Sequence, residues 1–85
     1  MSKGSIAGAT FNAMVLTVMF DHETDGRWIA SVPELPGVHV YGASRTEALG
    51  KAQALALTTL ADEVEQGTRD PMTLMTVSFS ASEAA

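Results

Sequence analysis

The sequence predicts a single α+β domain in which three strands, one long helix and a fourth strand follow in the order βββαβ. Three observations carry this. Residues 14–20 and 27–32 are β-rich runs on either side of an acidic turn ending in Asp25-Gly26. Ser44-Arg45-Thr46-Glu47 opens a proline-free stretch with apolar residues at helical spacing. Met75, Val77 and Phe79 then alternate with Thr76 and Ser78. The expected domain covers residues 13–79, with a flexible tail at 1–12 and a short tail at 80–85.

In the first strand Met14, Leu16, Val18 and Phe20 alternate with Val15, Thr17 and Met19, so both faces are largely apolar. The turn at residues 21–26 leads into a second strand with Trp28, Ala30 and Val32 on one face, completing an antiparallel hairpin. Pro33-Glu34-Leu35-Pro36-Gly37 cannot be a central strand, because each proline lacks an N–H and fixes φ. Gly37 suits a turn that needs positive φ. Residues 38–41 form a short third strand ended by Gly42, which completes a three-stranded antiparallel meander. The helix follows on one face of the sheet. Ser44 is expected to accept from the amide of Glu47, whose carboxylate reaches back to the amide of Ser44. Leu49, Ala52, Ala56, Leu60 and Val64 make the buried stripe, and Lys51, Thr58, Asp62 and Glu65 lie opposite. Gly67 follows as the terminating residue, Pro71 prevents resumption, and residues 72–79 form the fourth strand.

Eighty-five residues without a cysteine exclude disulfides and thiolate metal sites. The N-terminal residues lack the apolar run of a signal peptide, and no apolar stretch approaches the roughly 20 residues of a membrane helix. Cytoplasmic localisation is the default expectation. A net charge of −5, with five scattered basic residues, disfavours phosphate-backbone binding and suits a basic protein partner. With one helix to cover one sheet face, apolar surface on the first strand and around Leu55 and Leu57 is left over. That predicts a homodimer or higher oligomer.

No catalytic set emerges. Asp21, Glu23 and Asp25 are the densest carboxylates, but their spacing matches no cation-binding loop, and a solvated hairpin turn explains them. His39 lacks a nucleophile and an orienting partner, and His22 belongs to the turn. Ser44 and Glu47 are accounted for as a cap. Neither a metal nor a cofactor is expected.

The segment Gly26-Arg27-Trp28-Ile29-Ala30-Ser31-Val32-Pro33-Glu34-Leu35-Pro36-Gly37-Val38, followed by Tyr41-Gly42-Ala43-Ser44-Arg45-Thr46-Glu47-Ala48-Leu49, resembles the HicB antitoxin family. That family's pattern has an acidic turn ending in glycine, an aromatic strand, the phrase Pro-Glu-Leu-Pro-Gly, a glycine and a capped helix opening on Glu-Ala. The resemblance spans about residues 14–79. It implies a degenerate RNase H-like fold that neutralises a small basic RNA-cleaving toxin, HicA, by covering the toxin's active-site histidine. It gives Pro33, Pro36, Gly37, Gly42, Ser44 and Glu47 motif or structural roles. Many members add a C-terminal DNA-binding module. None follows here, so direct DNA binding is not expected.

The leading expectation is therefore a non-catalytic, HicB-like interaction module that binds and masks a HicA-type toxin. Its candidate contacts are Asp21, Glu23, Asp25, Trp28, Glu34 and Leu35. Alternatives are an orphan oligomeric domain or an RNA-binding module without a toxin partner.

Overall fold

A computed structural model of the chain describes residues 13–83, and the expected tail at 1–12 lies outside the described residues. The elements are β1 (Ala13–His22), β2 (Trp28–Ser31), β3 (His39–Gly42), α1 (Arg45–Glu65), a 3-10 turn (Pro71–Leu74) and β4 (Thr76–Glu83). They form one four-stranded sheet, ordered β3-β2-β1-β4, with the helix on one face. This is the predicted α+β, βββαβ layout. Two reversals bring β3 parallel to β1. The helix then carries the chain back, so β4 runs parallel to β1 and takes the place beside it.

The period-two pattern of β1 separates the layers. Leu16, Val18 and Phe20 are buried against the helix side, while Val15 on the other face is 54% exposed. Ala30, Val32, Leu35 and Val38 complete the sheet's part of the core. The helix contributes Ala48, Ala52, Ala56 and Leu60, one residue per turn. Three of these four are alanines, which lets the helix backbone lie close to the sheet.

Closest approach is at Gly42. A Cβ added there would sit 2.5 Å from the Ala48 nitrogen and 2.9 Å from its Cα. The glycine is thus required by space, since a side chain would displace helix backbone. The helix starts immediately beyond. Ser44 is extended, and its Oγ accepts from the Glu47 amide at 3.0 Å. The Glu47 carboxylate reaches one residue further back than expected. It accepts from the amide of Ala43, not of Ser44, because Ala43 lies just past the end of β3. At the other end Gly67, at φ 79°, donates to Val64 O, and Thr68 donates to Glu63 O. That double closure is the Schellman motif. Arg69 ties it down through the Glu63 carboxylate.

The fourth strand departs from its expected bounds at both ends. Residues 72–75 are not strand. Asp70 accepts from the Met72 amide at 3.0 Å and from Thr73 at 2.9 Å, and with Pro71 leading it this makes a 3-10 turn. At the other end the strand continues to Glu83, through residues assigned to a tail. Ser80, Ala81 and Ser82 carry no apolar alternation. They are held by backbone pairing to Thr17, Val18 and Met19.

Replacing Gly42 with valine is expected to destabilise the domain by about 1–3 kcal/mol, because backbone must shift to admit the side chain. Urea denaturation should show a lower midpoint with an unchanged slope, the pattern of lost stability without altered compactness.

Candidate functional site

The six residues expected to meet a partner do not form one site. Glu23 and Asp25 gather with Arg27 at the tip of the β1–β2 hairpin, while Asp21, expected in the turn, lies within β1 opposite Ile29. Asp25 accepts from the Arg27 amide at 3.0 Å and from its Nε at 2.8 Å, and Glu23 lies 3.9 Å from the same guanidinium. The Arg27 amide hydrogen bond outweighs a desolvation that works the other way. With the guanidinium, it holds the Asp25 carboxyl below its ordinary value. The turn is thus closed by its own cation. Gly26, at φ 94°, supplies the tight geometry. The guanidinium also lies 4.5 Å from the centre of the Tyr41 ring, fastening the tip to β3.

Trp28 lies on the helix side of the same tip. It pairs across the ladder with His22, the two rings stacked 4.2 Å apart, and meets Phe20 edge-on. Arg45 from the first turn of α1 lies over the same Phe20 ring, 4.1 Å from its centre. The half-buried tryptophan therefore anchors hairpin to helix.

Glu34 and Leu35 occupy the opposite end of β2. The β1 strand is paired with β2 only over residues 19–22, and its earlier residues project past that strand. Glu34 fills the gap. Its carboxylate accepts from the Thr17 amide at 3.0 Å and from the Thr17 hydroxyl at 2.8 Å, standing in for the missing strand. Desolvation raises the Glu34 pKa, but the Thr17 amide and hydroxyl, together with Glu34's own amide, overcome this and keep it below the ordinary value. Four residues of strand, roughly 13 Å, separate Thr17 from Asp21. Leu35 cannot be a contact as expected. It is 2% exposed, turned into the core by hydrogen bonds from its amide to Val32 O and from the Val38 amide to its own carbonyl. Pro33 and Pro36 sit in this turn where no amide is needed, and Gly37 adopts φ 98°.

Between the two ends lies the sheet face that the helix leaves open. The register sets Tyr41 beside Ile29 and Ile29 beside Asp21, then His39 beside Ser31 and Ser31 beside Met19. Thr17 and Val15 continue the row. Tyr41 and Val15 are the most exposed of its apolar members. This is a mixed apolar and polar surface with carboxylates at its margins, Asp21 at one end and Glu34 at the other. Of these residues only the acids were expected as partner contacts from the sequence, although surplus apolar surface on β1 was expected as well. The signal for the others was present, since β1 is apolar on both faces and one helix covers only one of them.

Among the described residues no three His, Asp or Glu side chains come together to hold a metal ion, no cavity opens, and no helix is long and apolar enough to cross a membrane. Comparison with family models, curated proteins and solved structures returned no match.

The Glu34 link carries a pH dependence. Because its folded pKa is lowered, its contribution is complete above the ordinary glutamate range and disappears as pH falls through the folded value. Replacing Glu34 with alanine should lower stability at neutral pH by up to about 1 kcal/mol, since the link is solvent-screened. The difference from the parent chain, followed by denaturant titration at successive pH values, should close under acid.

Proposed function

We propose that this chain is a non-catalytic protein-binding module of the HicB antitoxin kind. It takes a small basic RNA-cleaving protein of HicA type onto its open sheet face and masks that protein's active site. The carrying observation is the face itself: Tyr41, Ile29, Met19 and Val15 in one rigid sheet, bounded by Asp21 and Glu34, on a chain of net charge −5. An apolar centre with an acidic margin suits a basic partner, the centre supplying affinity and the margin steering encounter. The motif from Gly26 to Leu49 supports the same reading, and its structural members account for the rigidity. Gly42 admits the helix, Ser44 and Glu47 cap it, and Pro33, Pro36 and Gly37 shape the turn that brings Glu34 to Thr17. Self-association in the cytoplasm belongs to the same proposal.

Co-expression with a HicA-type toxin tests it. The parent chain should restore growth and co-purify with the toxin. Tyr41→Ala should weaken the complex at least tenfold, as loss of an aromatic anchor does, and Asp21→Lys should slow association most strongly at low salt. Asp21→Lys should leave thermal unfolding nearly unchanged, because that side chain is exposed, whereas Tyr41→Ala should lower stability by about 0.5–1 kcal/mol through loss of the Arg27 contact, too little to unfold the domain. Failure of the parent chain to bind or rescue would sink the proposal.

A further inference from the structure

The two outer edges of the sheet are treated differently by the sequence. The β3 edge is four residues long. The Lys51 ammonium reaches from the helix to the outward carbonyl of Tyr41 at 3.2 Å, so part of that edge is covered and charged. The β4 edge is eight residues long, and among the described residues no strand lies outside it. From 76 to 82 it contains no proline, no lysine and no charged residue of any kind. Long, uncharged and regular edges template further strand pairing, and folded proteins ordinarily block them.

The backbone direction of this edge follows from the ladder. Thr17 turns its amide toward the β2 side, so the odd residues of β1 face β2 and the even ones face β4. In the parallel register Met14↔Val77 and Leu16↔Phe79, the residues of β4 that bond to β1 are then Thr76, Ser78, Ser80 and Ser82. Val77, Phe79 and Ala81 point their amides and carbonyls outward. On the helix side, α1 lies over β2 and β3 and makes little contact with β4. Met14, Leu74, Val77 and Phe79 are therefore only partly covered, and Met75 beside them is 68% exposed.

We propose that the occupant of this edge is the β4 strand of a second copy, running antiparallel and centred on Phe79, so that two sheets join into one of eight strands. The register is self-complementary. Phe79 faces Phe79 and Val77 faces Ala81 on the helix side, where the half-covered apolar residues of both copies meet between the two helices. Ser78 faces Ser80 and Thr76 faces Ser82 on the other side, pairing hydroxyls with hydroxyls. Charge opposes a like copy least at this edge. Two chains of −5 repel, and an uncharged edge is where they can approach most closely. The pairing rests on the self-association part of the function proposed above and not on its basic partner. It also leaves both open faces on the same side of the joined sheet.

The test is the mass of the full chain by analytical ultracentrifugation from micromolar to near-millimolar concentration, with three variants. The parent chain should be a dimer. Ala81→Pro removes an outward amide and none of the bonds to β1, so it should give a folded monomer by circular dichroism. Ser78→Glu with Ser80→Glu places like charges opposite each other and should also give a monomer, whereas Ser78→Lys with Ser80→Glu should restore the dimer. A parent chain that stays monomeric overturns self-association altogether. A dimer that survives both Ala81→Pro and the paired glutamates overturns this interface alone, and toxin binding is read independently in either case.

Discussion

The distance between helix and sheet is the constraint on which the other features depend. Gly42 and Ala48 meet backbone to backbone, and the alanines at 52 and 56 keep the axis low over β2 and β3. A helix that close seals a core made of few large side chains. Phe20, Leu16, Leu35, Val18 and Val32 are the largest fully buried ones. Tight backbone approach replaces volume, which matters in a domain near the lower size limit for folding without disulfides or metals. The same closeness gives the helix a narrow footprint. It covers part of one sheet face and none of the other, so the exposed apolar surface follows from how the core is built.

Two side chains hold the sheet together where its ladder is incomplete. Glu34 takes the place of a strand beside Thr17, and Arg27 joins the hairpin tip to the aromatic ring of Tyr41. Both arrangements are local in sequence or one strand away, and both put a charged group beside the open face. The acidic turn and the Pro-Glu-Leu-Pro-Gly phrase therefore have a structural use independent of any partner. Neither Asp25, which holds Arg27, nor Glu34 is idle surface charge.

Element order, the alternation of β1 and β2, the Ser44 cap and the Gly67 stop of the helix, and the turns at Gly26 and Gly37 were legible in the residues. Each depends on period or local turn chemistry. What was not legible depends on long-range pairing. The parallel match of β4 to β1 extends the strand through Ser80, Ala81 and Ser82, whose side chains alone give no such instruction. The 3-10 turn before it is an Asp70 cap that the alternation following it concealed. For the candidate site, residue type identified the acids, but only the fold could show that Leu35 points inward while its neighbour Glu34 reaches back to β1. Tyr41, Ile29 and Met19 join one surface through cross-strand register, which no single segment encodes.

The placement of β4 also bears on the order of events in folding. The β1–β2–β3 meander and the helix can form from contacts close in sequence, but β4 must close a loop of more than fifty residues to find β1. Its docking is thus the step with the largest entropic barrier, and it is held chiefly by one ladder beyond the helix's cover. Amide hydrogens of Ser78 and Ser80 should exchange through an opening that leaves the rest of the domain intact. In that opened state β1 would offer its whole even-numbered backbone to solvent. A second copy lying along β4 would then act as a latch on the last segment to arrive, coupling the lifetime of the closed sheet to protein concentration.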